Sequence, residues 1–278
     1  MNIVGIIPAR MASSRYPGKP LAKIHGIPMV GHVYFRSKMC PALNEVYVAT
    51  CDKEIAEYVE SIGGNAVMTA DTHERASDRT AEAMVKIEAK VGVMTDIAVM
   101  IQGDEPLLHP DMVDEALGPL FEDATINITN LMAQIKDTEE FEDPNVVKVV
   151  VDKSNNALYF SREPIPSRKK GVSRVIPAKQ ICVVPFRRSF LLEYTQMEPT
   201  ALEIAESVDM MRIVENGLKI RMVFTRHPTV SVDTKKDLNA VTKIMARDEL
   251  FKRYHTKSEQ CVKEASRLRE NKTWKKNV

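Results

Sequence analysis

Short apolar runs alternate with amphipathic segments through the first half of the chain. The runs NIVGII, EVYVAT and DIAVMIQ, which begin at Asn2, Glu45 and Asp96, are typical of buried strands. Alternation of strands with helices predicts right-handed βαβ units, a mostly parallel sheet and helices on both of its faces. The helical spacing of apolar residues places these helices at Met29 to Met39, Lys53 to Ile62 and Asp78 to Lys90.

After Pro144 the strand pattern becomes denser. VVKVVVD and ALYFSR predict two neighbouring strands joined by the turn-forming KSNN. QICVVPF predicts one further strand, and KIRMVFT another. Helices are predicted over 189–196 and 200–216, and a final helix begins with Thr234 or Asp233 as its N-cap. We therefore predict an α/β fold: a Rossmann-like, mostly parallel sheet flanked by helices, with a smaller mixed β subdomain.

Composition narrows the class of protein. The chain has 278 residues and a net charge of +1, so no global charge favours nucleic acid or a membrane surface as a partner. Apolar runs of membrane-spanning length and a leader-like N-terminus are absent from the sequence. The cysteines are Cys40, Cys51, Cys182 and Cys261; without a CxxC pair they favour a reduced, cytoplasmic protein over a disulfide or metal framework.

A cationic loop follows the first strand. IIPARMASSRYPGKPL contains Arg10, Arg15 and Lys19 and no acid. Ligands of open α/β sheets bind beyond the carboxyl ends of the strands, and Gly18 permits close approach of the backbone to phosphate oxygens. The loop matches neither GxxxxGK[ST] nor GxGxxG. It is either a solvated basic turn or a new kind of phosphate-binding loop, and three cations this close favour an anion between them.

Two aspartates stand where a divalent cation could join them to bound phosphates. Asp104 ends the strand in MIQGDEPLL, and Asp233 in SVDTKKDL precedes a helix. Mg²⁺ is commonly bound by one or two carboxylates together with substrate phosphates. Taken singly, each aspartate could instead be a helix cap. The histidines His25, His32 and His73 are interpreted as structural or peripheral rather than as general bases.

Six motifs occur in the order found in the CMP-Kdo synthetases, where Kdo is 3-deoxy-manno-octulosonate. They are IIPARMASSRYPGKPL, THERASDRTAEA, IQGDEP, DPNVVKVVVD, ALYFSREPIP and VDTKKDL. The chain thus resembles this cytidylyltransferase family, within the sugar nucleotidyltransferase superfamily, from Ile6 to about Leu250. The resemblance implies transfer of CMP from CTP to Kdo or a Kdo-like ulosonic acid, release of pyrophosphate, a role in lipopolysaccharide biosynthesis and a homodimer.

The resemblance also implies roles for individual residues. It implies that the catalytic residues are Arg10, Lys19, Asp104 and Asp233, and that the two aspartates bind Mg²⁺. It implies that the nucleotide is bound by Ala9, Arg10, Ser13, Arg15, Lys19, Ser77 and Arg79. It implies that the small anionic acceptor is bound by Gln102, Arg162, Gln180 and Glu206. A nucleotidyltransferase domain over 1–250 then comprises a nucleotide-binding half (about 1–140), an acceptor and dimerisation half (about 141–232) and a closing helix (233–250). The basic stretch 251–278 is interpreted as a solvated helical tail, with a specific anionic partner as the alternative.

The acceptor half departs from the family pattern. Where the family resembles H-L-G-I-Y-G-Y-R, this chain has QICVVPFR, so Gln180 replaces a histidine and Val184 a tyrosine. Because these replacements remove hydrogen-bonding groups from the predicted sugar pocket, we expect Kdo to be a poor substrate. Another ulosonic acid, an amino-substituted Kdo or a phosphonate would then be the preferred acceptor. Arg162, Lys179 and Arg187 still favour an anionic acceptor. Two alternatives stay open: a catalytically silent nucleotide-binding homologue, and a transferase that uses another base such as UTP.

Overall fold

The computed structural model describes residues 1–12, 15–169 and 175–255. Its strands are β1 Ile3–Pro8, β2 Lys23–Ile24, β3 Ile27–Pro28, β4 Glu45–Thr50, β5 Asn65–Met68, β6 Ile97–Ile101, β7 Thr129–Gln134, β8 Lys148–Val151, β9 Ala157–Ser161, β10 Ala178–Ile181, β11 Val183–Arg187 and β12 Arg221–Phe224. Its α-helices are α1 Met29–Ser37, α2 Lys53–Ser61, α3 Ala76–Val91, α4 Pro110–Glu122, α5 Thr138–Glu142, α6 Arg188–Tyr194, α7 Ala201–Glu206, α8 Met210–Glu215 and α9 Lys235–Met245.

The first sheet has the strand order β11–β6–β1–β4–β5. Four of its strands are parallel, and β11 joins β6 antiparallel at the edge. Its strands are apolar almost throughout because helices cover both faces. Helices α1, α2 and α4 pack on one face and α3 and α6 on the other. The predicted α/β class and the first three predicted strands are therefore confirmed.

The second sheet is mixed, with the order β12–β7–β10–β8–β9. Its pairs are antiparallel apart from the parallel pair β12–β7. Neither sheet is built from one continuous part of the chain. Strand β7 precedes residue 140 and lies in the second sheet, whereas β11 follows it and completes the first. The nucleotide and acceptor halves are thus interleaved around the line where the sheets meet.

Two predicted elements were wrong, because a continuous strand or helix pattern in the sequence is interrupted in the structure. The single strand predicted for QICVVPF is two strands in different sheets, and Cys182 lies between them. Ile181 and Val183, on either side of Cys182, are both apolar and buried, so no polar residue marks the crossing. The predicted helix 200–216 is also interrupted, because Ser207 adopts the left-handed conformation (φ 51°) after α7 and α8 begins only at Met210.

The chain after α9 packs back onto α1. Arg36 donates from Nη2 to Asp248 (2.7 Å), and the hydroxyl of Tyr254 lies 2.7 Å from Nδ1 of the buried His32. A helical segment over 249–255 carries Tyr254, and the rest of the predicted basic tail lies outside the described residues. Within the ranges described, none of the helices combines the length and apolar character needed to cross a bilayer.

Candidate active site

A cleft of about 550 Å³ opens where the two sheets meet, at the carboxyl end of β6. Side chains from the loop after β1, the end of β6, strand β10 and the segment before α9 contribute to its walls. Of the residues singled out from sequence, the lining includes Arg15, Gln102, Asp104, Arg162, Gln180 and Asp233. The fold therefore brings together residues that are up to about two hundred positions apart in the chain.

The backbone on either side of Asp104 is fixed by close packing. A Cβ on Gly103 would lie 3.2 Å from the carbonyl oxygen of Pro8, so a side chain there would push apart the ends of β1 and β6. The carbonyl of Asp104 accepts a hydrogen bond from the backbone N–H of Val232 (2.9 Å). One residue further on, Ser231 donates from Oγ to Oε1 of the buried Glu105 (2.6 Å). The Asp104 loop and the Asp233 segment are thus joined directly.

Lys19 lies between the two aspartates. Its Nζ is 2.8 Å from Oδ2 of Asp104 and 3.2 Å from Oδ1 of Asp233. Burial acts to lower the pKa of Lys19, but the two carboxylates outweigh it and raise the pKa above its ordinary value. The ammonium therefore stays charged. Its position shows that both carboxylates can contact a single cation from opposite sides.

The other two loop cations differ in their surroundings. Arg15 contacts Asp233 through Nη2 (3.0 Å) and also donates to the side chain of Asn145. Arg10 is exposed, and its Nη1 contacts the carbonyl of His73 at 3.4 Å. Arg15 lines the cleft, Lys19 is joined to it through the lining residues Asp104 and Asp233, and Arg10 lies outside the described lining on the segment that follows β1.

Asp233 is not the cap of the last helix. Thr234 occupies the N-cap of α9, where its side chain accepts from the backbone N–H of Asp237, and Asp237 in turn accepts from the N–H of Thr234 (2.8 Å). This reciprocal capping box satisfies the helix terminus without Asp233. The carboxylate of Asp233 is therefore directed to Lys19 and Arg15 in the cleft. Of the two caps that the sequence left open, Thr234 is the one observed.

The residues predicted to contact the nucleotide are spread more widely. Ala9 is buried, and its N–H donates to the carbonyl of Ala49 (2.9 Å), while Ser13 lies outside the described residues. Ser77 is buried and donates from Oγ to Asp209 (2.9 Å). Arg79 is buried too and donates to the carbonyl of Ala70 (3.1 Å). Neither Ser77 nor Arg79 contributes to the described cleft lining; Ser77 holds the lining residue Asp209, whereas Arg79 contacts the segment around Ala70.

On the acceptor side, backbone carbonyl groups accept several of the hydrogen bonds that the guanidinium of Arg162 donates. Arg162 lines the cleft, yet its guanidinium donates from Nε to the carbonyl of Glu206 (2.6 Å) and from Nη1 to that of Pro144 (2.9 Å). The carboxylate of Glu206 accepts from the N–H of Arg162 (2.8 Å) and from the hydroxyl of Tyr159 (3.0 Å), and Glu206 is outside the described lining. This pair fastens α7 to β9.

The two replacements in the acceptor strand have different consequences. Gln180 lines the cleft and donates from Nε2 to Oδ1 of the buried Asn130 (2.7 Å). Val184 is fully buried and outside the described cleft lining, but its cross-strand partner Met100 lines the cleft, so the expectation that valine removes a hydrogen bond there stays a prediction. Arg187 also lies elsewhere, because it donates to the carbonyls of Leu120 (2.7 Å) and Ile126 (2.8 Å) beside α4.

Sequence reasoning missed the acidic wall opposite the cations. The segment DTEEFED forms α5 and its flanks, and four of its acids line the cleft: Asp137, Glu139, Glu140 and Asp143. Glu140 is paired with Lys179, whose Nζ lies 2.5 Å from Oε1. The five acids within these seven residues were the signal in the sequence that could have revealed this wall. Because Glu140 neutralises Lys179, this lysine brings little net positive charge to an anionic acceptor.

Comparison with known proteins gives consistent matches over nearly the whole chain. A family model described as cytidylyltransferase matches residues 4–220. A 3-deoxy-manno-octulosonate cytidylyltransferase from Geobacter metallireducens is 45% identical over 260 residues, covering 90% of this chain and 100% of that protein. The enzyme of the same name from Geobacter sulfurreducens is 44% identical over 251 residues, covering 87% and 98%.

Solved structures extend these matches to the fold. The structure of CMP:2-keto-3-deoxy-manno-octonic acid synthetase in complex with CTP has a TM-score of 0.79 and 37% identity, covering 89% of this chain and 99% of that one. The structure of 4-diphosphocytidyl-2C-methyl-D-erythritol synthase from Anaerococcus prevotii has a TM-score of 0.57 at 12% identity, covering 88% and 99%. The second likeness concerns the fold alone.

Proposed function

The chain belongs to the cytidylyltransferase family, and from this premise we propose that it transfers CMP from CTP to Kdo or a closely related ulosonic acid. A hydroxyl of the acceptor attacks the α-phosphorus of CTP, the bond to the β-phosphate oxygen breaks, and pyrophosphate leaves. The hydroxyl proton passes to solvent or to a phosphate oxygen. Such a displacement depends on alignment and on neutralisation of charge more than on a protein nucleophile.

One observation carries this proposal: Lys19 lies within ion-pair distance of both Asp104 and Asp233 at the mouth of the cleft. A module that merely held a nucleotide would need the cations but not two convergent carboxylates. The arrangement therefore favours the enzyme over the catalytically silent homologue. In the proposed complex, Arg10, Arg15 and Lys19 bind the β- and γ-phosphates and stabilise the charge that develops on pyrophosphate.

The two aspartates also fit Mg²⁺. Their oxygens approach the same ammonium nitrogen, and side-chain exposures of 22% for Asp104 and 15% for Asp233 leave room for a hydrated ion and phosphates. We assign them as the residues that would hold it. When bound, Mg²⁺ would supply charge neutralisation at the phosphates and lower the pKa of the acceptor hydroxyl. With the carboxylates occupied by the ion, the ammonium of Lys19 would be available to phosphate oxygens.

The acceptor is assigned to the part of the cleft lined by Gln102, Arg162 and Gln180. Support for Kdo comes from the names of relatives that match over almost their full length. Gln180 can still offer an amide to an acceptor hydroxyl. Ser77 is assigned an indirect part, since it holds the lining residue Asp209. Arg79 is assigned to the segment around Ala70 beside the nucleotide half of the cleft.

A homodimer is also proposed. Leu158 on the edge strand β9 is 56% exposed, and Ile204 on the neighbouring α7 is 63% exposed. The hydrogen bond from Tyr159 to Glu206 holds these two elements side by side. Apolar side chains on a sheet edge are a common feature of subunit contacts. A second copy placed on this surface would cover both of them.

A pyrophosphate-release assay with Mg²⁺ tests the function. CTP, UTP, ATP and GTP are each supplied with Kdo, 8-amino-Kdo, sialic acid or an aminoalkylphosphonate. We expect release with CTP and Kdo, with the other bases at least tenfold slower. Release with UTP and not CTP would show a different base. Faster release with 8-amino-Kdo than with Kdo would support the prediction, made from the replacement at Gln180, that the acceptor differs from Kdo. No release with any pair of substrates would support the catalytically silent homologue.

A further inference from the structure

A cluster of four possible metal ligands lies at the start of α4, apart from the Asp104 and Asp233 carboxylates. His109 is the N-cap residue of this helix, Asp111 is in its first turn and Glu115 follows one turn later. His227, from the loop after β12, completes what we call the histidine cluster. Ligand atoms of His109, Asp111 and His227 all lie within 4.8 Å of one another.

Two of the distances are close to an edge of a tetrahedron. Nδ1 of His109 is 3.4 Å from Oδ2 of Asp111, and that same oxygen is 3.9 Å from Nε2 of His227. Zinc bonds to nitrogen and oxygen are about 2.1 Å long, so two ligand atoms on a tetrahedral ion lie about 3.4 Å apart. These two separations exceed that edge by at most half an ångström, and the ligand atoms of the two histidines lie within 4.8 Å of each other. Small rotations of the side chains would therefore bring the atoms onto one ion.

Glu115 provides a second observation. Its Oε1 is 3.7 Å from Nε2 of His227, again close to a tetrahedral edge. The side chain is 34% exposed, yet its Oε2 is enclosed and finds no hydrogen-bond partner within the described part of the chain. A cation bound to this carboxylate would satisfy that oxygen.

The two imidazoles can reach one ion after a rotation of one ring. Their rings are stacked, with centroids 4.2 Å apart and planes inclined by 10°, and an imidazole nitrogen binds a metal in the plane of its ring. The side chains are 34% exposed for His109 and 26% for His227, so the cluster leaves room for this rotation. The N–H of Asp111 contacts Nδ1 of His109 at 3.3 Å, longer than a usual hydrogen bond, so a metal ion could replace this contact at small cost.

We propose that the histidine cluster, formed by His109, Asp111, Glu115 and His227, binds a transition-metal cation, Zn²⁺ or one of similar chemistry. Two imidazoles and two carboxylates are a ligand set that suits Zn²⁺ better than Mg²⁺. The bound ion holds the loop after β12 against α4. Because that loop continues to Asp233, the ion also anchors the segment that carries this cleft residue.

The test uses the full chain, stripped with EDTA and kept in millimolar Mg²⁺ to occupy the proposed catalytic site. Zn²⁺ is titrated calorimetrically, and Co²⁺ replaces it for absorption spectra that report tetrahedral geometry. We expect one Zn²⁺ per chain and an intense visible Co²⁺ band. His109→Gln and His227→Gln should each weaken binding at least tenfold. His25→Asn, at an exposed histidine elsewhere, should not.

Thermal unfolding with and without Zn²⁺ gives a second readout: the midpoint should rise by several degrees in the parent and in His25→Asn, and not in the cluster variants. Circular dichroism checks that each variant is folded. Absence of stoichiometric Zn²⁺ binding to the parent would overturn the proposal. So would unchanged affinity in either cluster variant, because the ion would then be held elsewhere.

Discussion

Replacement of Lys19 by methionine probes the charge arrangement at the cleft. The change keeps the length and apolar stem of the side chain and removes its ammonium. Exposures of 12% for the Lys19 side chain, 22% for Asp104 and 15% for Asp233 mean that water screens these charges only in part. Two carboxylates then face each other without their shared cation.

The expected loss of unfolding free energy is about 1–3 kcal/mol, since hydrogen bonds to charged groups contribute about 1.5–3 kcal/mol and the remaining water access moderates the loss. For a protein of this size about 1 kcal/mol corresponds to roughly 2–4 °C, so the unfolding midpoint should fall by roughly 2–12 °C in EDTA. Added Mg²⁺ should recover most of this, because a divalent cation between the carboxylates replaces the ammonium.

Turnover of Lys19→Met should fall more than tenfold and should not recover with Mg²⁺, since loss of one phosphate contact raises the barrier by more than about 1.4 kcal/mol. Differential scanning fluorimetry and pyrophosphate release measure the two effects. Lys53→Met, at an exposed lysine on α2, is the matched control and should change neither. Normal turnover in Lys19→Met with a lowered midpoint would show that Lys19 is structural and refute its place at the triphosphate.

Three further outcomes are expected. Asp104→Asn and Asp233→Asn should each abolish pyrophosphate release while CTP still binds in EDTA; full activity in either variant would remove it from the metal site. Burial lowers the pKa of His32 to about 4 from 6.5, so the unfolded chain binds the extra proton and stability should fall as pH drops from about 6.5 to 4. Denaturant titrations should show a shallower fall for His32→Gln, and identical pH profiles would contradict this origin of acid sensitivity. Light scattering should give a dimer mass, and Leu158→Lys with Ile204→Lys should give a monomer; a parent that is monomeric at micromolar concentration would exclude the proposed contact.

The sequence was most informative for features that a single local pattern determines. The strands β1, β4 and β6 follow from runs of apolar residues that are buried on both faces. The convergence of Asp104 and Lys19 follows from the rule that loops at the carboxyl ends of parallel strands share one rim. For Asp233 the sequence left two alternatives, a helix cap or a metal ligand beside Asp104, and the resemblance favoured the second; the structure has Thr234 at the cap position.

Other features depend on partners that are distant in the chain and leave no local pattern. The crossing at Cys182 is hidden because the residues on either side, Ile181 and Val183, are both apolar and buried. Arg187 resembles a cleft cation in sequence, yet carbonyl groups near α4 take up its donors. Arg79 likewise serves the loop around Ala70. A charged residue satisfied by backbone carbonyls cannot be told from a ligand-binding one by its position in a motif.

The most direct test of the account is identification of the product by ³¹P NMR after incubation with CTP, Kdo and Mg²⁺. The account predicts a new phosphodiester signal that grows in equal amount with pyrophosphate, and neither signal in the absence of Kdo. CTP that stays intact, or that is hydrolysed to CMP without a phosphodiester, would contradict it.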